Sequence, residues 1–99
     1  MIQHIMLWNY KDEVSAEERA YHEAELVRLA ELVPSLLSVE YGPVVGGRNQ
    51  SFEHCFVMHF EDMAGLAEYA GHTAHVKFSS AFKEACVVQV VADFEVVNE

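Results

Sequence analysis

The first ten residues constrain the fold more than any other stretch of the chain. Met1 to Tyr10 alternates, with Ile2, His4, Met6, Trp8 and Tyr10 on one face and Ile5 and Leu7 on the other. Successive side chains of a strand point to opposite faces, so both sides of this strand carry apolar bulk. Such a strand belongs in the middle of a sheet that is covered on both sides. The rest of the chain must supply neighbours for each edge and cover for each face. Only 99 residues are available for this, which predicts one domain over residues 1–99.

The elements that follow are punctuated clearly. Ser15 with Glu18 three residues on forms a Ser-x-x-Glu capping box, which opens a helix. Ala20, Ala24, Val27, Leu29 or Ala30 and Val33 follow at helical spacing, with Glu17, Arg19, His22, Glu23, Glu25 and Arg28 on the wet side. Pro34 ends the helix at Val33, because a proline disfavours helical geometry in the residue before it. Residues 36–45 read as a second strand, with Gly42-Pro43 marking a bulge or an edge. Gly46 to Ser51 reads as a turn in which the glycines supply positive φ. A third strand covers 52–60, with Phe52, His54, Phe56, Met58 and Phe60 on one side and Glu53, Cys55, Val57 and His59 on the other. Asp62 caps a second helix through Met63, Leu66, Ala67 and Tyr69, which Gly71 ends in a left-handed conformation. Thr73 caps a third helix through Val76, Phe78, Phe82 and Ala85. A β-branched strand over 87–97 closes the chain.

This order predicts an α+β fold, the ferredoxin-like βαββαβ arrangement with a four-stranded antiparallel sheet and helices on one face. The other face of the first strand is equally apolar and needs cover. A second copy presenting the same face provides it, which makes a homodimer through sheet faces, a dimeric α+β barrel. A hydrophobic content of 52% supports this, since so small a domain has too few polar residues to coat its surface. The formal charge of −10 argues against nucleic acid and anionic membrane surfaces as partners. No apolar run approaches the ~20 residues of a membrane span, and the N-terminus lacks a basic leader. Cys55 and Cys86 lie in apolar runs and read as buried free thiols. A cytoplasmic location is expected.

Six histidines are unevenly placed. His4 shares its face with Met6 and Trp8, while His72 and His75 bracket Thr73-Ala74, three residues beyond Tyr69. Polar groups at the mouth of an oily cleft are the usual construction of a small-molecule site. His75 in the first turn of a helix feels the positive end of the macrodipole, which favours the neutral imidazole that a general base requires, while the net negative charge of the chain acts in the opposite direction. Tyr69 is placed to donate a hydrogen bond to an enolate or phenolate oxygen. Each has a plainer reading. His4 can be a satisfied core histidine, His72 a cap at the helix junction, and Tyr69 a core aromatic. His54 and His59 face opposite ways and cannot share a site. Three histidines raise zinc, but no ligand set with metal spacing accompanies them, so neither metal nor cofactor is expected. A phosphate loop, a serine nucleophile elbow and a Cys-x-x-Cys pair are all missing from the sequence.

The segments Ile2-Gln3-His4-Ile5-Met6-Leu7-Trp8, Lys11-Asp12, Val33-Pro34, Phe60-Glu61-Asp62, Tyr69, His72 to Val76 and Asp93-Phe94 together resemble the stress-responsive A/B-barrel (Dabb) family. The resemblance spans essentially the whole chain and implies a dimeric α+β barrel. Functions in that family vary, and include a polyketide cyclase acting without metal or cofactor. Carried over by position, the resemblance implies His75 as base, Tyr69 as its hydrogen-bonding partner and His4 as the group that orients a carbonyl. Trp8, Met6, His72 and Leu26 would line the ligand site, Leu26 standing where the cyclase branch has an aromatic hydroxyl. Thr73 replaces a proline common in the family. The expected ligand is small, mostly apolar, and carbonyl- or phenol-bearing, and the expected chemistry is that of a cyclase-like lyase or isomerase. Two rival readings are a non-catalytic binding or stress-response dimer with structural histidines, and a haem- or quinol-directed monooxygenase drawing on Trp8, Asn9 and His75. In the last, adjacent Trp8 and Asn9 face opposite sides of the strand.

Overall fold

A strand with two apolar faces is best accommodated between other strands, and β1 (Ile2–Tyr10) lies between β3 (His54–Phe60) and β4 (Cys86–Glu95), antiparallel to both. The computed structural model describes residues 1–48 and 50–97. Its other elements are α1 (Ala16–Leu32), β2 (Ser38–Pro43), α2 (Met63–Gly71) and α3 (Thr73–Ala85). The sheet order is β2-β3-β1-β4, the four-stranded ferredoxin-like arrangement expected. β2 is an edge strand whose register with β3 runs unbroken from Ser38↔His59 to Pro43↔His54. Gly42-Pro43 therefore marks an edge and no bulge. The irregularity falls instead between Asn9 and Tyr10, where β1 shifts register against β4.

Parity along the strands separates the two faces. Ile2, Trp8, Tyr10, Phe56, Met58 and Phe60 are buried under the helices with Leu26, Leu29, Val33, Tyr69 and Phe82. Burying each such side chain fully is worth about 1.5–3 kcal/mol relative to exposure. On the opposite face Ile5 pairs with Val57 and Ala92, Leu7 with Cys55 and Val90, and Gln3 with His59 and Phe94. That face stays open in the single chain, and Val88, Val90 and Phe94 are exposed.

The Ser15–Glu18 capping box forms as expected, with Val33 closing α1. The buried stripe of α1 differs from the expected one. Leu29 and Val33 are buried as expected, but Ala20, Ala24 and Val27 are exposed and Leu26 is buried in their place. Three large side chains set the rotation of the helix and outweigh two small alanines, since burial scales with apolar area. His22, Glu23 and Arg19 consequently move off the wet flank to half-buried positions. The His22 ring lies 6.0 Å from Phe82. The Tyr10 hydroxyl donates to Glu23 Oε2 at 2.9 Å, and the Arg19 guanidinium sits 4.9 Å over the Tyr10 ring.

Left-handed backbone also falls elsewhere than expected. Gln50 (φ 55°) and Ser51 (φ 68°) take it, and no described glycine has positive φ. The turn thus bends just ahead of β3, past Gly46-Gly47; Asn49 lies outside the described residues. Gly71 does not end α2 in a left-handed conformation. His72, extended at φ −71° and ψ 137°, ends α2 and also caps α3, as its plainer reading had it, in place of Thr73. Among the described residues no helix is long and apolar enough to cross a membrane. Cys55 and Cys86 are free, Cys86 buried and Cys55 half-buried, and burial pushes both thiols up.

Candidate functional site

His4, Tyr69 and His75 come together at one end of the helix-covered face. β1 supplies His4 at the fourth position of the chain, and α2 lays Tyr69 over β3 with its ring 5.2 Å from Phe60. The Tyr69 ring lies 5.9 Å from the His4 ring and 4.2 Å from the His75 ring. α2 and α3 meet at His72, whose backbone N–H donates to Tyr69 O at 3.1 Å and whose carbonyl accepts from Val76 N at 3.0 Å. That single extended residue sets the angle at which His75 meets Tyr69.

The two histidines of the junction are held in opposite tautomers. His72 Nδ1 accepts from Ala74 N–H at 3.0 Å, so its lone pair is committed to the cap. His75 Nδ1 lies 3.0 Å from the Ala70 carbonyl oxygen. A carbonyl only accepts, so Nδ1 carries the proton and the neutral ring keeps its lone pair on Nε2. Burial lowers the affinity of His75 for a second proton, and the nearby charge of His4 acts in the same direction. The bond to the Ala70 carbonyl opposes this; it is weaker than the effect of burial and stronger than that of His4. His75 is therefore a neutral imidazole with Nε2 available.

Tyr69 is 3% exposed. Burial raises its pKa, keeping the hydroxyl protonated and a donor at neutral pH. That hydroxyl makes no hydrogen bond among the described residues, yet it is not one of the sealed, unpaired polar atoms, which are Trp8 Nε1 and Ser35 Oγ. It therefore reaches the surface uncommitted, as do Nε2 of His4 and of His75.

His4 has a partner that the sequence reading did not identify. Its Nδ1 contacts Asp93 Oδ1 on β4, its directly opposed residue in the β1–β4 register. A carboxylate only accepts, so Nδ1 donates and the ring orientation is fixed. A usable signal was present: an aspartate inside an otherwise β-branched strand is unusual, because Asp is depleted in strands.

The remaining candidates are spread more widely. Trp8 and Leu26 are wholly buried in the core, and Met6 is half-buried between Phe56 and Val91 in register. His54 stacks on Trp8 at 5.3 Å, away from His59 on the open face. A cleft of about 240 Å³ lies between α1 and α3; His4, Tyr69 and His75 are not among its walls. Among the described residues no group of three or more His, Cys, Asp or Glu side chains could hold a metal ion.

A model of the stress responsive A/B barrel domain matches residues 2–96. The chain belongs to that family. It is 29% identical over 96 residues to the stress-response A/B barrel domain-containing protein HS1 of Arabidopsis thaliana, covering 95% of this chain and 88% of that protein. It is 22% identical over 95 residues to olivetolic acid cyclase of Cannabis sativa, covering 94% of each. Among solved structures, At3g17210 from Arabidopsis thaliana superposes with a TM-score of 0.94 at 27% identity, over 100% of this chain and 98% of that one. A dimeric ferredoxin-like protein from Jannaschia sp. superposes at 0.83 with 25% identity, over 96% and 98%.

Proposed function

We propose that this A/B-barrel protein binds a small, mostly apolar carbonyl- or phenol-bearing molecule at His4, Tyr69 and His75 and removes a proton next to its carbonyl. The observation that carries the reading is the tautomer of His75, with Nδ1–H engaged by Ala70 and a bare Nε2 with no partner among the described residues. Nε2 takes the proton from carbon, and the electron pair moves into the carbonyl to give an enolate. The protonated Tyr69 hydroxyl donates to that oxygen, and His4, held by Asp93, orients the carbonyl. The enolate carbon then attacks a second carbonyl (cyclisation) or is reprotonated elsewhere (isomerisation), so no oxidant or cofactor is needed. The likeness to a cyclase supports this class of chemistry.

The test is deuterium exchange at the carbon between the carbonyls of an aryl 1,3-diketone, followed by NMR in D2O. Wild-type protein should accelerate exchange, and His75→Ala should lose about 10²-fold or more of that acceleration with only a small drop in melting temperature. Equal exchange rates for the two proteins would contradict the assignment.

The protein also acts here as a homodimer through the open sheet faces. Ile5, Leu7, Val57, Val90, Ala92 and Phe94 share that face in register, a contiguous apolar surface of the kind that marks an interaction site. A structural neighbour described as dimeric supports the same reading. Sedimentation equilibrium at micromolar concentration should give twice the mass of the chain, and a lone chain would overturn it.

A non-catalytic dimer with structural histidines is the second reading, favoured by His72, whose lone pair is committed to the α3 cap. It expects His4→Ala and His75→Ala each to destabilise the fold by roughly 1–3 kcal/mol and to leave exchange at the background rate in every variant.

A further inference from the structure

We propose that the cleft between α1 and α3 is a second binding site, for an amphipathic carboxylate: a small molecule with an aryl or alkyl body and one carboxylate group. Ala74, Phe78 and Ala81 follow one another on α3 at spacings of four and three residues, so they form one stripe along the helix. The two alanines are too short to fill the space opposite Leu29 and Leu32 of α1, and an opening of about 240 Å³ remains. Leu29 is 2% exposed and Leu32 is 43% exposed. The apolar wall thus continues from the core to the surface, where a polar rim would be the ordinary finish of a helix pair. The volume lies below the ~300–1,000 Å³ of drug-sized sites, so the occupant is small.

The charge at the lip defines the other end of the ligand. Glu25, Arg28 and Lys77 stand there. Glu25 is already engaged, since the Tyr21 hydroxyl donates to Oε1 at 3.4 Å and Arg28 Nη1 donates to Oε2 at 3.4 Å. Lys77 makes no ion pair among the described residues. The lip therefore carries one net positive charge, in a chain whose formal charge is −10. An unpaired ammonium beside an apolar floor complements one anionic group with an oily body. A polyanion would meet the repulsion of the whole chain, and a neutral oil would leave Lys77 without a role. The site stands apart from His4, Tyr69 and His75 and does not rest on the reading given for them.

The experiment titrates the full-length, 15N-labelled chain with 4-phenylbutanoate and with its methyl ester, and follows the amide spectrum. The carboxylate should give saturable shifts confined to residues 21–32 and 74–81. The ester should bind at least tenfold more weakly, and Lys77→Gln should weaken the carboxylate by a similar factor. Ala81→Phe, which fills the floor, should abolish saturable binding. Lys77 and Ala81 are both exposed, and the spectrum of each free variant checks that it folds. Absence of saturable shifts, shifts centred on residues 4 and 69, or an affinity that Lys77→Gln leaves unchanged would each overturn the proposal.

Discussion

β1 passes through two different environments under the helices. At its C-terminal end Trp8 and Tyr10 are enclosed, the Trp8 ring lying 5.2 Å from Phe82, 5.7 Å from Phe56 and 5.3 Å from His54. The Tyr10 hydroxyl is bound internally by Glu23. At the other end His4 also sits among rings, but its Nε2, the Tyr69 hydroxyl and His75 Nε2 have no partner among the described residues. Both ends are aromatic, and both contain histidine. What separates them is where the polar atoms lie: sealed inside at the Trp8 end, where the Tyr10 hydroxyl bonds Glu23 and Trp8 Nε1 goes unpaired, and open to the surface at the His4 end. Satisfied polar groups hold a fold together, whereas uncommitted ones beside apolar walls are available to a ligand.

Substitutions at the two ends should therefore move different observables. The largest expected effect is at Trp8. Trp8→Ala leaves a cavity in the core and should cost about 3–5 kcal/mol in chemical denaturation, while any folded fraction keeps its diketone exchange rate per site. Next comes Asp93→Asn, which removes the carboxylate that fixes His4. Asp93 is exposed, so stability should barely change, but exchange should fall by about tenfold, roughly the worth of one charge-assisted hydrogen bond. A melting temperature that drops with exchange unchanged would make His4–Asp93 structural and erase the contrast. Tyr10→Phe should cost about 1 kcal/mol, through the lost bond to Glu23, with no change in exchange.

The smallest effect is a pH dependence. Burial lowers the folded-state pKa of His75 below its ordinary value of about 6.5. Between those two values the unfolded chain binds more protons than the folded one, so stability falls as the pH drops through that window and is constant above it. Urea denaturation between pH 7 and pH 5 should show this acid-side loss in wild type and a weaker one in His75→Gln. His75 is half-buried, so the difference is small. Exchange in wild type should fall over the same window.

The sequence carried the frame of this molecule because the frame depends on local signals. Alternation in β1 and β3, the Ser15–Glu18 box and Pro34 each act within a few residues, and each appears in the structure as read. Some of the departures involve competition between distant groups. Arg19 and Glu23 look like a wet helix flank until Tyr10, on another element, offers a ring and a hydroxyl. His72 displaces Thr73 as cap because its ring nitrogen reaches the Ala74 N–H, a choice that depends on the angle between α2 and α3. The site was legible as a set of residue types, with His4 and His75 each brought within ring contact of Tyr69. Asp93 was missed because only the register of β1 against β4 puts it opposite His4, and register is a property of the whole sheet.

The proposed chemistry requires a neutral His75 that holds its proton on Nδ1. Long-range 1H–15N correlation of the histidine side chains at pH 7 reads this directly, with His72 as an internal control in the opposite tautomer. His75 should show a protonated Nδ1 and a bare Nε2, and should not become an imidazolium until the pH is below 6.5. A proton on Nε2 at pH 7, or a fully charged ring there, would contradict it.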